Sequence, residues 1–328
     1  MRRILEDIRT GTFSHVYLLC GQEDYLRNQY KNKLKAALLG DGDQMNLSVY
    51  EGSGTNPLQV IDLAQTMPFL SDRRVMILEN TGFFKGSQEA LAAYMKEIPE
   101  FTYFVFAEKE VDKRSRMYKA VKENGHIAEF EEQDEATLRK WIAGRVAKEQ
   151  KKMDMGTISF FLQRTGTDME NIEKELEKLF CYTLKKDAIT REDIEEITTK
   201  QLSNRVFDMI SFVSQKRQKE ALKLYYDLLS LREAPMKILA LMARQFNQLL
   251  QIKTLKDKGY DQRSIASKIG MQPFIVGKYW SQCNLFQTAD LKAALSDCVQ
   301  TDEDIKSGRI NDTIGVELLL VKYSSASH

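Results

Sequence analysis

Histidine is scarce in this 328-residue chain. His15, His126 and His328 are its only three, and they lie far apart. A histidine-built metal site or a Ser-His-Asp relay has little material to use. Cysteine is sparse as well. Cys20, Cys181, Cys283 and Cys298 show neither metal-ligand nor redox spacing, and each falls in an apolar context. They read as buried free thiols of a reducing compartment. No apolar run approaches the roughly 20 residues of a membrane span. The first residues, MRRILEDIRTG, carry charge where a signal peptide has its apolar region. The expected address is therefore the cytoplasm, with no membrane partner. Net charge is only +1. A protein that grips DNA alone needs a strong basic excess, because phosphate neutralisation drives that binding. Any DNA contact here is expected to be local or shared with partners.

What is present is ordinary globular material. Hydrophobic residues make up 43% and charged ones 29%, which excludes disorder. The length implies two or three domains. Three compositional regions follow one another, at 1–135, 136–203 and 204–328.

In the first region, short β-rich runs alternate with helical ones. The runs are HVYLLC (15–20), NLSVYE (46–51), RVMILE (74–79), TYFVFA (102–107) and HIAEF (126–130). Helix-like stretches lie between them at Tyr25–Leu39, Pro57–Thr66, Ser87–Ile98 and Lys113–Glu123. Runs that are apolar throughout predict strands covered on both faces, hence a parallel, doubly wound sheet. The second region predicts a small helical domain. Thr167 with Glu170, and Thr190 with Asp193, fit capping boxes, and Met169, Ile172, Leu176 and Leu179 recur at helical spacing. KEQKKMD (148–154) reads as a solvated helix end. The third region is all helix, with Pro235 and Pro273 at first-turn positions and Gly259 and Gly270 at helix ends. The fold class is α/β followed by all-α.

The first strand leads at once into Gly21 and a helix, the place of a phosphate-binding G-x-x-x-x-G-K-[ST] loop. Counting from Gly21, the second glycine is Leu26, the lysine is Arg27 and the hydroxyl residue is Asn28. Close backbone approach and a magnesium ligand are lost, and only charge is kept. Glu23 and Asp24 add negative charge where phosphate wants positive potential. The topology reads as P-loop-like and the site as unable to hold nucleotide, so no cofactor is expected. An unrelated α/β fold that never bound phosphate accounts for the same residues. Glu131/Glu132 and Glu195/Glu196 sit in polar runs and read as solvated faces. No dinucleotide fingerprint or nucleophile elbow is present.

TMPFLSDRRVMIL (66–78) sets an apolar cluster beside a polar turn. Val75–Leu78 reads as a buried strand. Met67, Pro68, Phe69 and Leu70 either fold back into the core, the ordinary reading, or are held out for a partner.

Several stretches together resemble the delta-subunit family of the bacterial DNA polymerase III clamp loader, in its Gram-positive form. They are VYLLCGQEDYL, TMPFLSDRRVMIL, VDKRSRMYKAVKENGHIAEF and TDMENIEKELEKL, then the C-terminal ILALMARQFNQLLQIKTLKDKGYDQRSIASKIGMQPFIVGKYWSQC and DEDIKSGRINDTIGVELLL. The resemblance spans nearly the whole chain in order. It implies a degenerate AAA+ module that binds no ATP (1–135), a helical lid domain (136–203) and a helical collar domain (204–328). It implies binding of the sliding clamp (beta) and favouring of the open ring, so that the clamp loads on primed DNA. The collar would meet the tau/gamma and delta-prime subunits, and primed DNA would be met only within the assembly. Polymerase chemistry belongs to the holoenzyme, and this chain is expected to be non-catalytic. The family's clamp-contacting hydrophobic pair falls on Phe69 and Leu70, flanked by Met67 and Pro68, and this reverses the ordinary core reading. Gram-negative members more often show leucine-phenylalanine, so the fit in the clamp pocket differs in detail. Arg73 and Arg74 follow, either as charge at the start of a strand or as contacts to acidic clamp residues.

Two other readings compete. RSIASKIGMQPFIVGKYW (263–280) has helix-turn-helix spacing, with Ala266, Gly270 and Val276 at plausible positions. Its second helix, with Phe274, Ile275, Tyr279 and Trp280, is more apolar than a major-groove helix wants, and Lys278 alone is a thin basic face. A structural hairpin in a collar is the favoured reading over a DNA-binding regulator. An active AAA+ ATPase is opposed by the altered Gly21 loop.

Overall fold

The five β-rich runs assemble into one parallel sheet. The computed structural model describes residues 1–40, 44–198, 202–271 and 273–325, so His328 lies outside it. The chain divides into two compact units, Met1–Gln133 and Asp134–His328.

The first unit runs α1 (Arg2–Thr10), β1 (Val16–Cys20), α2 (Asp24–Leu39), β2 (Leu47–Glu51), α3 (Pro57–Ala64), β3 (Arg74–Glu79), α4 (Glu89–Tyr94), β4 (Thr102–Glu108), α5 (Arg116–Asn124) and β5 (His126–Glu129). The strand order is β2-β3-β4-β1-β5, with every neighbouring pair parallel. Val16 pairs with Phe104 and Val75 with Leu47 and Tyr103, which sets the register across the middle of the sheet. Strand residues alternate between faces. Val16, Leu18, Met76, Leu78, Phe104 and Phe106 join one core with residues of α3, α4 and α5. Tyr17, Leu19, Val75, Ile77 and Val105 are also buried, and α2 packs on β1, β3 and β4. The expectation of strands covered on both faces holds for β1 and β3. It fails for β2, an edge strand whose Val49 is exposed.

The second unit is helical. It contains α6 (Glu135–Lys148), α7 (Met155–Thr165), α8 (Met169–Tyr182), α9 (Arg191–Ile197), α10 (Leu202–Ser214), α11 (Gln218–Ser230), α12 (Pro235–Asp257), α13 (Gln262–Ile269), α14 (Pro273–Gln282), a 3-10 turn at Cys283–Leu285, α15 (Thr288–Lys306) and α16 (Asp312–Ser324). Helices α7, α8 and α9 contact one another. A core cluster drawn from α10 to α16 includes Val206, Tyr225, Met242, Phe246, Leu291 and Leu320. Among the described residues no helix is long and apolar enough to cross a membrane.

Several local expectations are met and several need correction. The Thr190–Asp193 capping box forms at α9. Helix α8 is capped by Asp168 instead of Thr167, its carboxylate accepting from the Asn171 N–H at 2.7 Å. A carboxylate at this position also complements the helix dipole. The 148–154 segment is not merely a solvated helix end. Lys151 donates through Nζ to the carbonyls of Thr183 (2.6 Å) and Lys186 (2.8 Å), and Lys152 pairs with Ala188 in a β-bridge. Cys20, Cys283 and Cys298 are buried free thiols as expected, but Cys181 is exposed, because it lies on the outer side of α8. Helix α1, which no pattern announced, buries only Ile4 and is tied down by Tyr17, whose hydroxyl donates to Asp7 Oδ2 at 2.7 Å.

Candidate functional site

The site builds from α3 outward. Asn56 caps its start, accepting from the Leu58 N–H, and Pro57 sits in its first turn. Its last residue, Ala64, has its carbonyl held by the Thr102 hydroxyl at 2.7 Å in a buried bond. The chain then leaves α3 in a loop and enters the sheet at Arg74.

That loop carries the apolar cluster, and the structure puts the cluster in water. Met67 is 75% exposed, Phe69 59% and Leu70 92%, whereas Val75, Met76, Ile77 and Leu78 are buried. The ordinary core reading of the pair is thereby overturned. Isolated exposed apolar residues are common, but these three stand together on one short loop. Pro68 is half-buried.

The loop is held from beneath. Arg74 is 7% exposed and donates from Nε to the Thr66 carbonyl at 2.7 Å and from Nη2 to the Met67 carbonyl at 3.1 Å. Asn46, fully buried just before β2, accepts from the Phe69 N–H at 2.7 Å and donates to the Phe69 carbonyl at 2.8 Å. Leu70 has φ 49, in the left-handed region where leucine rarely sits. Arg73 lies with its guanidinium 5.0 Å from the Phe13 ring centre and 5.6 Å from that of Tyr103, a cation–π arrangement. Arg74 is turned inward beneath the loop. It opens β3, as the reading of charge at the start of a strand has it, and is buried there as an internal tether.

Sequence reasoning missed Asn46. Nothing in NLSVYE distinguishes it from an ordinary polar residue before a strand, and its partner is 23 positions away.

At the phosphate-loop position the structure shows a filled space. Gly21 has φ 122, and a Cβ there would lie 2.1 Å from the Phe130 carbonyl oxygen. Glycine is required by close strand-to-turn packing, which accounts for it without any ligand. Glu23 donates its N–H to the same Phe130 carbonyl at 3.0 Å and caps α2 with its buried carboxylate. Leu26 is in the core, Asn28 is exposed, and Arg27 is 5% exposed with Nη1 donating to the Gly21 carbonyl. A carboxylate therefore occupies the helix start where a phosphate would need bare N–H groups.

Beside it, at the carboxyl ends of β1, β4 and β5, lies a cavity of about 530 Å³. Its lining includes Glu110, Glu129, Glu131 and Glu132 against Lys109 and Lys113. Lys113 pairs with Glu129 at 2.8 Å and Glu110 with Lys85 at 2.7 Å. A triphosphate does not fit this donor set. Nearby Glu108 is 2% exposed, and burial pushes its carboxyl above the usual range while bonds from Thr81 and Gly82 pull it back. Glu131 and Glu132, and likewise Glu195 and Glu196, are exposed as expected.

The helix-turn-helix spacing resolves into a structural hairpin. Ile265 and Ala266 of α13 and Val276 and Tyr279 of α14 belong to the helical core. The Tyr279 hydroxyl donates to Gln248 at 2.7 Å, and Lys256 Nζ sits 4.1 Å from the Trp280 ring centre. Gly270 ends α13 in the left-handed conformation. The Phe274 side chain lies outside the described residues. Both helices thus contribute to the core shared with α12, as the structural-hairpin reading expects.

Comparison with known proteins bears on both units. Residues 17–131 match the family "DNA polymerase III, delta subunit", and residues 203–323 match "DNA polymerase III delta subunit, C-terminal domain". The chain is 26% identical to DNA polymerase III subunit delta of Bacillus subtilis over 331 residues, covering 97% of this chain and 95% of that one. It is 22% identical over 291 residues to the probable DNA polymerase III subunit delta of Aquifex aeolicus, covering 84% and 82%. The solved structure of the Bacillus subtilis DNA clamp loader delta protein superposes with TM-score 0.73 at 26% identity, over 98% of this chain and 99% of that one. Matched in both units, in order and nearly end to end, the chain belongs to the DNA polymerase III delta-subunit family, the delta subunits of the clamp loader.

Proposed function

We propose that this chain binds the ring-shaped sliding clamp through Met67, Pro68, Phe69 and Leu70, and favours the open ring while it is loaded on primed DNA. The observation that carries the reading is the exposure of Phe69 and Leu70 on a loop tethered from below by Asn46 and Arg74. An aromatic and an aliphatic side chain side by side make a compact hot spot. Seating both in an apolar pocket is worth about 3–6 kcal/mol, at about 1.5–3 for each side chain. Preference for the open ring needs a further contact that differs between the two ring forms, since equal binding to both shifts nothing.

In this reading, 1–135 is the clamp-contacting, degenerate AAA+ domain, 136–203 the lid and 204–328 the collar that meets the tau/gamma and delta-prime subunits. The chain works in the cytoplasm, meets primed DNA within the assembly, and neither binds nucleotide nor catalyses a reaction. The filled Gly21 turn and the carboxylates beside it support that view.

The test is the Phe69→Ala/Leu70→Ala double variant. Clamp binding, followed by surface plasmon resonance, is expected to be abolished with the melting temperature nearly unchanged. Undiminished binding would overturn the reading. A large loss of thermal stability would show that the pair is packed in the core.

A further inference from the structure

We infer that Asn46 fixes the conformation of the exposed Met67–Leu70 tip before any partner arrives, and so acts as a positioning residue for the clamp contact. The clamp half of this statement rests on the function proposed above; the conformational half does not.

Asn46 has no exposed surface, and its side-chain amide makes both bonds that a neighbouring strand would offer Phe69. The assignment of its two amide atoms is forced. The Phe69 N–H can meet only an acceptor and the Phe69 carbonyl only a donor, so Oδ1 faces the first and Nδ2 the second. Asn46 is itself fixed by the sheet, because its carbonyl accepts from the Val75 N–H at 2.9 Å. Phe69 is thereby referenced to β3, not to the end of α3.

Leu70 at φ 49 follows immediately. A non-glycine residue stays in that region only where its surroundings over-determine it. The two bonds to Phe69, with Arg74 on the Thr66 and Met67 carbonyls, supply that determination. A tip ordered in advance does not have to lose backbone freedom on association, so affinity is gained without a single added contact. Aspartate would keep the acceptor for the Phe69 N–H and lose the donor. Alanine would lose both.

Hydrogen exchange on the free, full-length chain tests the conformational half. The Phe69 amide is expected to exchange at least about tenfold more slowly than an open loop amide. Its protection is expected to vanish in Asn46→Ala and persist in Asn46→Asp, with the Val75 amide protected throughout. Binding to the cognate sliding clamp is expected to weaken about 5- to 100-fold in Asn46→Ala and by less in Asn46→Asp. A purely structural role would not separate the two variants at the Phe69 amide while leaving Val75 alone. An unprotected Phe69 amide in the unaltered chain overturns the inference, as does full clamp affinity in an Asn46→Ala chain whose Phe69 amide has become open. Should Asn46→Ala fail to fold, the Asn46→Asp chain decides by the same two readouts. If the unaltered chain does not bind the clamp at all, the proposed function falls, while exchange at Phe69 still decides whether Asn46 fixes the tip.

Discussion

Arg27 turns its guanidinium inward onto Gly21, donating from Nη1 to the glycine carbonyl at 2.5 Å, while Nη2 pairs with Asp24 at 2.8 Å. The cation that stands where a phosphate-binding lysine would be is an internal brace for its own turn. Replacing it with lysine does not recreate a phosphate site, because the Glu23 carboxylate still caps α2.

Two outcomes follow at this turn. Arg27→Ala is expected to cost about 1.5–3 kcal/mol, the usual worth of a hydrogen bond to a charged group, read by chemical denaturation. Gly21→Ala is expected to cost more than about 3 kcal/mol or to prevent folding, since its Cβ would meet the Phe130 carbonyl. ATP turnover by the purified chain that disappears in Arg27→Ala would contradict this account of the turn.

Glu108 gives a pH signature with a defined sign. Burial raises its folded-state pKa above the ordinary 4.5, against the bonds from Thr81 and Gly82. The folded chain therefore holds a proton that the unfolded chain has released. The resulting stability is fully present below about pH 4.5 and is lost as pH climbs through the raised value. The stability of the unaltered chain minus that of Glu108→Gln is expected to fall as pH rises from 4.5. A difference that is flat or rises across that window would show that the carboxyl titrates normally.

The four cysteines divide three to one. Burial pushes the Cys20 thiol up to about 11 and that of Cys298 up to about 12, and raises Cys283 as well. Cys181 is exposed. Only the thiolate reacts with a disulfide reagent. One thiol is expected to titrate quickly at pH 8 in the native chain and all four in denaturant. Loss of the fast reaction in Cys181→Ser identifies it.

The sheet was legible in the sequence because its strands are short runs built around aliphatic and aromatic residues, and the runs at 15–20, 46–51, 74–79, 102–107 and 126–130 fall within a residue of β1, β2, β3, β4 and β5. The phosphate turn was legible in its losses, since Leu26 and Asn28 cannot do what glycine and a hydroxyl do. Contacts made across long separations were not. Asn46 and Phe69 meet over 23 positions, and no local pattern announces a side chain that will bond a distant backbone. Arg74 was legible as charge at the start of a strand, but not as a buried tether. Its burial depends on two carbonyls that only the folded loop supplies. The exposure of Phe69 and Leu70 was pointed to by the family resemblance and not by their residue types, which do not separate an apolar residue turned into the core from one turned away.

Leu70 offers the sharpest separation of stability from function. Its backbone has φ 49, its side chain is 92% exposed, and burial therefore contributes almost nothing to holding it there. Glycine adopts that conformation without steric penalty, against which stands its greater freedom in the unfolded chain. Leu70→Gly is expected to stabilise the chain by about 0.5–1 kcal/mol in chemical denaturation. The same change removes half of the proposed contact pair, so clamp affinity is expected to fall about tenfold or more. Stability rising while affinity falls would show that the strained leucine is held for its partner. A variant that loses stability would mean that the Leu70 side chain is packed, and one that keeps full affinity would place the contact elsewhere.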